Sequence, residues 1–233
     1  METGSISTSP TKREGATWPA AEQVRCWQCG VQHTPGLFCP SCEAIQPLPE
    51  QADYFQVLDL PRHLVIDPQA LQRRYYELSR RVHPDLYQAA PQTARVASLR
   101  NTATLNRAYA MLRDPVDRGL YWLALWGEKL GTDNNRVPPD LAELVFDIQE
   151  KLAELRAARR GNGAATLVRE LDDAHKEVLE RRTALLRQLE ANFARWDAAA
   201  ADTAALRADL KATLTALAYL ETLLRDVDKE LQR

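Results

Sequence analysis

The residues best suited to chemistry in this chain are four cysteines, which stand in two CxxC pairs. Cys26 and Cys29 form the first pair, Cys39 and Cys42 form the second, and nine residues separate the pairs. Each CxxC turn can direct two thiolates at one ion, and two turns complete a tetrahedral four-thiolate shell. The spacing therefore predicts one structural Zn²⁺ per chain. His33 lies between the pairs and receives no ligand role, because four thiolates already fill the shell.

Other uses of the cysteines fit the sequence less well. Disulfides are disfavoured in an intracellular protein, because that compartment keeps thiols reduced. A thioredoxin-like redox pair needs a βαβ context that this sequence lacks. A segment this short cannot fold on a core of its own, so we expect the metal to hold it together. We therefore interpret residues 21–47 as a tetracysteine zinc-binding domain, called the knuckle domain below.

A second candidate site is the tripeptide His83-Pro84-Asp85, which follows an arginine-bearing amphipathic segment. Pro84 ends the helix and stiffens the turn, so that His83 and Asp85 are presented together. This spacing suits docking better than proton relay. Beside the turn we expect a cationic face that binds an acidic partner surface. That face comprises Arg73, Arg74, Arg80 and Arg81.

The composition argues against several classes of function. Lys and Arg number 30 against 32 Asp and Glu, so no overall basic field indicates a nucleic-acid-binding protein. There is no GxSxG, HExxH or P-loop motif and no reactive cysteine outside the two pairs. We therefore do not predict an enzyme. Strand-like alternation is scarce and glycine is rare, which predicts a mainly α protein.

The cationic segment is predicted to belong to a helical hairpin. Asp67 before Pro68 favours a helix start, and the helix is expected to reach Val82. Its apolar stripe comprises Leu71, Tyr75, Leu78 and Val82. A second helix, ending near Asp114-Pro115, is expected to pack antiparallel to the first. Its expected buried residues are Val96, Leu99, Leu105, Tyr109 and Leu112. A short third helix carries Leu120, Trp122, Leu123 and Trp126.

The C-terminal part is predicted to be a bundle of three helices. The apolar stripe of the first comprises Leu141, Leu144, Val145, Ile148, Leu152 and Leu155. The second has Leu171, Val178, Leu185, Leu189, Phe193 and Trp196. The third has Leu206, Leu210, Leu214, Leu217, Leu224, Val227 and Leu231, close to a heptad repeat. Gly161-Asn162-Gly163 is expected to end the first helix. The third is expected to start between Asp197 and Thr203.

The resulting organisation has five parts. We expect a disordered N-terminus at 1–20, the knuckle domain at 21–47 and a unit containing the hairpin at 53–127. A linker at 128–139 and the bundle at 140–233 complete the chain. Pro47 and Pro49 are expected to form a short hinge between the first two folded parts.

The order of these parts resembles the HscB-type iron–sulfur cluster co-chaperones, which are J-domain proteins, and in particular their subgroup with an N-terminal tetracysteine zinc domain. The resemblance rests on Cys26-Trp27-Gln28-Cys29-Gly30, Phe38-Cys39-Pro40-Ser41-Cys42, Arg81-Val82-His83-Pro84-Asp85, Arg118-Gly119-Leu120-Tyr121-Trp122-Leu123 and Ile148-Gln149-Glu150-Lys151-Leu152-Ala153-Glu154. It implies that 53–127 is a J-domain whose HPD turn stimulates the ATPase of a DnaK/HscA-type chaperone. It also implies that the bundle holds the protein on which iron–sulfur clusters are built.

In that family a hydrophobic and acidic patch on the bundle binds this scaffold protein. The matching positions here are Phe146, Asp147, Glu150 and Tyr219. Phe146 and Tyr219 also fall off the apolar stripes of their helices, as exposed interface residues would. The chain departs from the family pattern at Ala142 and Glu143, where larger apolar residues are usual, and at Glu154, where a basic residue can occur.

Three other functions remain open at this stage. A general J-protein that delivers unfolded clients usually has a Gly/Phe-rich linker, which is absent here. A zinc-knuckle module for nucleic acid would carry more basic residues than Arg25, the only one between 21 and 47. A thiol oxidoreductase would turn over in an insulin-reduction assay. We expect no membrane association and allow a homodimer. The first residues lack the apolar core of a secretory signal, which predicts an intracellular protein. Because Glu2 and Glu14 are unusual in a mitochondrial presequence, we expect the bacterial cytoplasm, with the mitochondrial matrix as the alternative.

Overall fold

The computed structural model describes residues 23–50, 52–130, 137–158, 164–199 and 203–232. The predicted disordered N-terminus and the predicted helix end at Gly161-Asn162-Gly163 lie outside these residues. The knuckle domain contains two short antiparallel strands, β1 (Val24–Arg25) and β2 (Gln32–His33). The longer elements that follow in the described part are helices, joined by loops. The helices are α1 (Tyr54–Val57), α2 (Pro68–Val82), α3 (Gln92–Arg113), α4 (Pro115–Leu125), α5 (Ala142–Ala158), α6 (Ala164–Ala198) and α7 (Thr203–Leu231).

Helices α2 and α3 form the predicted antiparallel hairpin. Asp67 caps α2 by accepting a hydrogen bond from the Gln69 N–H at 2.9 Å, as its position before Pro68 predicts. Of the predicted stripe, Leu71, Leu78 and Val82 are buried and Tyr75 is half-buried. The ring of Tyr75 stacks on that of Tyr109 in α3, with centroids 4.2 Å apart, so the two helices are in contact along their length.

The predicted core face of α3 is wrong in its first half. Val96 and Leu99, which the sequence placed in the core, are 40% and 61% exposed. The face that packs inward instead carries small and polar residues, namely Ala94, Ala97, Ser98 and Asn101. Leu105 and Leu112 are buried as predicted, and Tyr109 is half-buried. The reason is that Ser98 and Asn101 donate hydrogen bonds to backbone carbonyls, of Val82 at the end of α2 and of Gln46, which Val and Leu cannot do.

Helix α4 joins the hairpin to the bundle through a continuous core. Its Trp122 ring meets Phe55 of α1 and Trp196 of α6 edge-on, at centroid distances of 5.7 and 5.9 Å. Gly119 brings the backbone of α4 so close to the bundle that a Cβ atom would lie 3.2 Å from the Leu214 methyl groups. Leu123, which the predicted short helix carries, is buried as well. The two parts therefore share one core.

The bundle consists of α5, α6 and α7, and every apolar residue predicted for its stripes is buried or half-buried. The break between α6 and α7 falls after Ala198 and before Thr203, inside the predicted interval. Because consecutive helices run antiparallel, α5 and α7 run parallel. An ion pair of 3.0 Å joins Arg156, near the end of α5, to the buried Glu230 near the end of α7. None of the helices in the described part is long and apolar enough to cross a membrane.

The described parts of the connecting segments form ion pairs or hydrogen bonds with neighbouring helices. Glu128, at the start of the predicted linker, pairs with Arg207 at 3.5 Å and with Lys211 at 3.4 Å on α7. The predicted hinge around Pro47 and Pro49 is hydrogen-bonded to α3, as described below. Proline and polar residues indicate where secondary structure ends, but they do not indicate which side chains of a neighbouring helix will bind the backbone there.

The close approach at Gly119 generates a stability prediction. We expect Gly119→Val to lower the free energy of unfolding by about 1–3 kcal/mol, because its methyl groups must displace Leu214 and Phe193 from a filled core. Denaturant unfolding followed by circular dichroism measures this. Ala124→Val, on the exposed side of the same helix, is the matched control and should change the free energy by less than about 0.5 kcal/mol. Equal stability of the two variants would contradict the close packing of α4.

Candidate metal centre and partner-binding surfaces

The two CxxC turns have matching backbone conformations. In the first, the Gly30 N–H donates to the Cys26 carbonyl at 3.0 Å, and the Cys26 N–H donates to the Val31 carbonyl at 2.8 Å. In the second, the Glu43 N–H donates to the Cys39 carbonyl and the Cys39 N–H donates to the Ala44 carbonyl, each at 2.9 Å. The residue after each turn has a positive φ, 75° at Gly30 and 59° at Glu43. Glycine adopts this conformation without strain, whereas glutamate does so at some cost.

These turns bring four sulfur atoms together in a geometry that fits a metal ion. All four Sγ atoms lie within 4.8 Å of one another. The Cys26–Cys42 and Cys29–Cys39 sulfur pairs are each 3.7 Å apart. A tetrahedron with metal–sulfur bonds of about 2.3 Å has sulfur–sulfur edges of about 3.8 Å. The residues present therefore fit a metal ion held tetrahedrally by four thiolates.

Hydrogen bonds make the site suited to negative charge on sulfur. Burial raises the pKa of Cys26, but the backbone N–H groups of Cys29 and Gln28, both 3.4 Å from its Sγ, outweigh burial and lower that pKa to about 6. The Gln46 side chain donates to the same sulfur at 3.3 Å. At Cys42 the backbone of Ala44 lowers the pKa, but burial and the adjacent thiols outweigh it and raise that pKa to about 12. A bound cation would favour the thiolate form of all four.

The knuckle domain is bound to the hairpin by one buried side chain that the sequence analysis missed. Asn101 on α3 is fully buried, and its Nδ2 donates to the Gln46 carbonyl at 2.8 Å. Its Oδ1 accepts from the Leu48 N–H at 3.4 Å. The signal was present in the sequence, since an asparagine on the core face of a helix must find polar partners. Those partners are the backbone of the segment predicted to be a hinge.

The HPD turn presents its polar side chains to solvent. His83 is the C-cap of α2, and Pro84 begins a 3-10 turn that ends at Tyr87. The Asp85 N–H donates to His83 Nδ1 at 3.3 Å, and an Asp85 carboxylate oxygen lies 3.4 Å from the same nitrogen. The two side chains remain 54% and 73% exposed. The bond from the Asp85 N–H orders the His83 ring while both side chains stay accessible, which suits recognition by a partner.

Side chains from α3 and from the turn itself support this conformation. Ser98 Oγ donates to the Val82 carbonyl at 2.6 Å, and Thr102 Oγ1 lies 3.4 Å from the same oxygen. The Tyr87 hydroxyl donates to the Arg81 carbonyl at 3.0 Å. These bonds satisfy carbonyls that the end of a helix leaves without partners. The polar residues on the inner face of α3 therefore fix the position of the HPD turn.

The four arginines of the predicted cationic face differ in their surroundings. Arg74 is largely engaged within the chain, since it bonds Asp59 at 2.5 Å, Glu77 at 2.9 Å and the Leu58 carbonyl at 3.2 Å. Arg73 has a long contact of 3.9 Å to Asp67. Arg80 is exposed. Arg81 lies over the ring of Phe38 in the knuckle domain, 4.0 Å from its centroid.

Two aromatic residues of the predicted scaffold-binding patch lie at the same height on the bundle. Phe146 is 72% exposed, whereas Tyr219 is half-buried against the core. Phe146 precedes Arg156 by ten residues and Tyr219 precedes Glu230 by eleven. Because α5 and α7 are parallel and joined by that ion pair, a rise of about 1.5 Å per residue brings both rings to one level.

The acidic residues of the patch are spread around α5. Glu150 is exposed near Phe146 on the helix surface. Asp147 lies about 180° around α5 from Arg156, the residue that faces α7, and forms an ion pair with Lys151. Tyr219 and Asp147 therefore lie on opposite flanks of α5. The assignment of all four residues to one interface stays a prediction.

Comparisons with known proteins agree with this architecture. The family model described as "DnaJ domain" matches residues 53–121. The chain is 37% identical over 158 residues to the human iron–sulfur cluster co-chaperone protein HscB, covering 65% of this chain and 67% of the human protein. It is 36% identical over 139 residues to the mouse protein of the same name, covering 57% and 59%. It is 30% identical over 129 residues to the Arabidopsis thaliana HscB homolog, covering 55% and 51%.

Solved structures give the same result at the level of the fold. The crystal structure of human co-chaperone protein HscB matches with a TM-score of 0.65 and 28% identity, covering 88% of this chain and 98% of that one. The chaperone HscB from Vibrio cholerae matches in fold, with a TM-score of 0.55, 24% identity and coverage of 76% and 96%. A J-domain followed by a helical bundle defines this class of co-chaperone. The chain belongs to the HscB family of iron–sulfur cluster co-chaperones.

Proposed function

We propose that this protein stimulates ATP hydrolysis by a DnaK/HscA-type chaperone through its J-domain, while its bundle delivers the iron–sulfur scaffold protein to that chaperone. The observation that carries the proposal is the exposed, internally hydrogen-bonded His83–Asp85 pair beside the arginines of α2, in a chain of the HscB family. The relatives that it resembles are named co-chaperones, and we propose the same non-enzymatic role here.

Charge complementarity supports chaperone docking at α2. Arg73, Arg80 and Arg81 leave their guanidinium donors accessible, and arginine pairs with carboxylates in a planar, two-bond geometry. Arg74 is already paired with Asp59 and Glu77, so a partner carboxylate would have to compete for it. We therefore expect Arg74 to contribute least of the four arginines to chaperone affinity.

The shared core supports an adaptor of defined geometry. The contacts of α4 with α6 and α7 set the direction of the HPD turn relative to the bundle. A scaffold held at Phe146 would then reach the chaperone in a fixed orientation, since the hairpin, α4 and the bundle share one core.

For the knuckle domain we propose a structural Zn²⁺ held by Cys26, Cys29, Cys39 and Cys42. Four thiolates close the coordination shell, leaving no open position for a substrate or water. The ion would supply the stability that a domain with so few buried apolar side chains cannot obtain from packing. The bacterial cytoplasm stays our prediction for where the protein acts.

The chaperone function is tested by single-turnover ATP hydrolysis with the cognate DnaK/HscA-type chaperone, with and without the iron–sulfur scaffold protein. We expect synergistic stimulation that needs both the scaffold and His83. His83→Gln should weaken chaperone binding by on the order of tenfold or more, because hot-spot residues contribute about 2 kcal/mol. His63→Gln, also at an exposed histidine, is the matched control and should stimulate ATP hydrolysis as the wild type does. Stimulation that ignores the scaffold would favour a general J-protein, and no stimulation would refute the proposal.

The scaffold-binding patch is tested by the affinity of the scaffold protein for Phe146→Ala and for Phe146→Ala with Tyr219→Ala. We expect the single variant to lose about tenfold in affinity, since Phe146 is exposed and free to insert into a partner. Leu179→Ala, at an exposed leucine of α6, should bind normally. Circular dichroism checks folding, because Tyr219 also packs against the core. Unchanged affinity of the double variant would disprove the patch.

Metal analysis of freshly purified protein tests the zinc proposal. We expect one zinc per chain, lost in Cys26→Ser with Cys29→Ser because two thiolates cannot complete the shell. Ser41→Ala, within the second CxxC turn but without a ligand atom, should retain the metal. Iron, or less than one zinc per chain in fresh protein, would contradict the assignment.

A further inference from the structure

One contact joins the metal-binding part of the molecule to the predicted chaperone-binding surface. The guanidinium of Arg81 lies over the Phe38 ring at 4.0 Å from the centroid. Phe38 immediately precedes Cys39, and its backbone forms a β-bridge with Ile45 on the other side of the second CxxC turn. The position of this ring therefore depends directly on the fold of the metal site.

The knuckle domain is also anchored on the hairpin at a second point. The Asn101 side chain bonds the backbone of Gln46 and Leu48, directly after the second CxxC turn. Ile45 and Leu37, on the two sides of that turn, are buried in the same core as the hairpin. The knuckle domain therefore presents Phe38 to the last turn of α2 from a fixed direction.

The stacked position leaves Arg81 able to bind a partner. Among the described residues the structure gives Arg81 no ion pair, and its side chain stays exposed. Stacking uses the flat face of a guanidinium, so its N–H donors, which point outward from the edge, remain available to a carboxylate. Arg74, in contrast, spends its donors on Asp59, Glu77 and a backbone carbonyl. Arg81 is two residues before His83, at the end of the same helix.

We propose that Phe38 is a positioning residue for chaperone docking: the metal-loaded knuckle domain holds Arg81 in an extended, preordered conformation beside the HPD turn. The inference rests on the proposed chaperone function and adds a role to the knuckle domain. Ordering a long side chain before binding removes an entropic cost from the binding step. Loss of the metal would release Phe38, and Arg81 would then have to be ordered by the partner. Metal occupancy and chaperone affinity are thereby coupled, although the metal never contacts the chaperone.

A double-mutant cycle on the full-length, zinc-loaded protein tests this coupling. Affinity for the ATP-bound DnaK/HscA-type chaperone is measured for Phe38→Leu, Arg81→Gln and the double variant. We expect Phe38→Leu to weaken binding about two- to fivefold, the range that an exposed cation–π contact supplies. In the Arg81→Gln background Phe38→Leu should have no further effect. Phe38→Tyr keeps a ring under the guanidinium and should therefore retain wild-type affinity. Val31→Ala, at an exposed site of the knuckle domain, is the control.

Two further measurements separate positioning from general destabilisation. The ring-current shift of the Arg81 side-chain protons, measured by NMR, should vanish in Phe38→Leu and in Cys39→Ser with Cys42→Ser, and should persist in Phe38→Tyr. The cysteine variant should reproduce the affinity loss of Phe38→Leu while α2 and α3 keep their hydrogen-exchange protection. The inference would be overturned if the affinity losses of Phe38→Leu and Arg81→Gln simply multiply in the double variant. It would also be overturned if Phe38→Leu binds the chaperone as well as the wild type.

The same experiment distinguishes the two proposals. If wild-type protein binds the chaperone and His83→Gln does not, the proposed function holds, and a neutral Phe38→Leu then rejects the positioning role alone. If wild-type protein fails to bind, or binds equally well as His83→Gln, the proposed function fails and the positioning role fails with it.

Discussion

The architecture depends on the burial of α4 between the hairpin and the bundle. Trp122 contacts Phe55 on one side and Trp196 on the other, and Gly119 lies where a Cβ atom would press on Leu214 at 3.2 Å. Apolar burial of this kind is the dominant favourable term in folding, and aromatic pairs add geometric specificity to it. Because α4 belongs to both parts, neither the HPD turn nor the bundle surface can reorient without breaking this core. The relative placement of the two predicted binding surfaces follows from these few contacts.

A second constraint acts at the end of α2, where backbone carbonyls would otherwise remain unpaired. Ser98 supplies a hydroxyl to the Val82 carbonyl, and Asn101 supplies an amide to the Gln46 carbonyl after the second CxxC turn, so α3 must turn its polar residues inward. Val96 and Leu99 are displaced outward as a consequence. Leaving a buried carbonyl without a hydrogen bond costs about 1–3 kcal/mol, which is comparable with the free energy gained by burying one Val or Leu side chain. The inward face of α3 can therefore be polar even though two apolar side chains become exposed.

This competition also explains which parts could be predicted from the sequence. Helical periodicity was sufficient for α2 and for the bundle, where long apolar side chains alone determine the inward face. The cysteine spacing was sufficient to bring Cys26, Cys29, Cys39 and Cys42 together, because each CxxC turn is a local structure. Helical periodicity failed on the first half of α3, because its inward face is determined by tertiary hydrogen bonds to residues far away in the chain. The same limit applies to Asn101 and to Phe38, whose partners are separated from them by 55 and 43 residues in the sequence.

The arginine-rich helix illustrates how structure divides a uniform sequence feature into different roles. Arg73, Arg74, Arg80 and Arg81 are equivalent as charges, yet Arg74 is bound to carboxylates and Arg81 is bound to an aromatic ring. An ion pair occupies the donors of a guanidinium, whereas a ring occupies only its face, so the second arrangement orders the side chain without consuming its capacity to recognise carboxylates. A small metal-stabilised domain can in this way affect recognition at a neighbouring surface by fixing one aromatic side chain. On the proposed coupling, the tetracysteine site would act on the J-domain through geometry, with no need for chemistry at the metal itself.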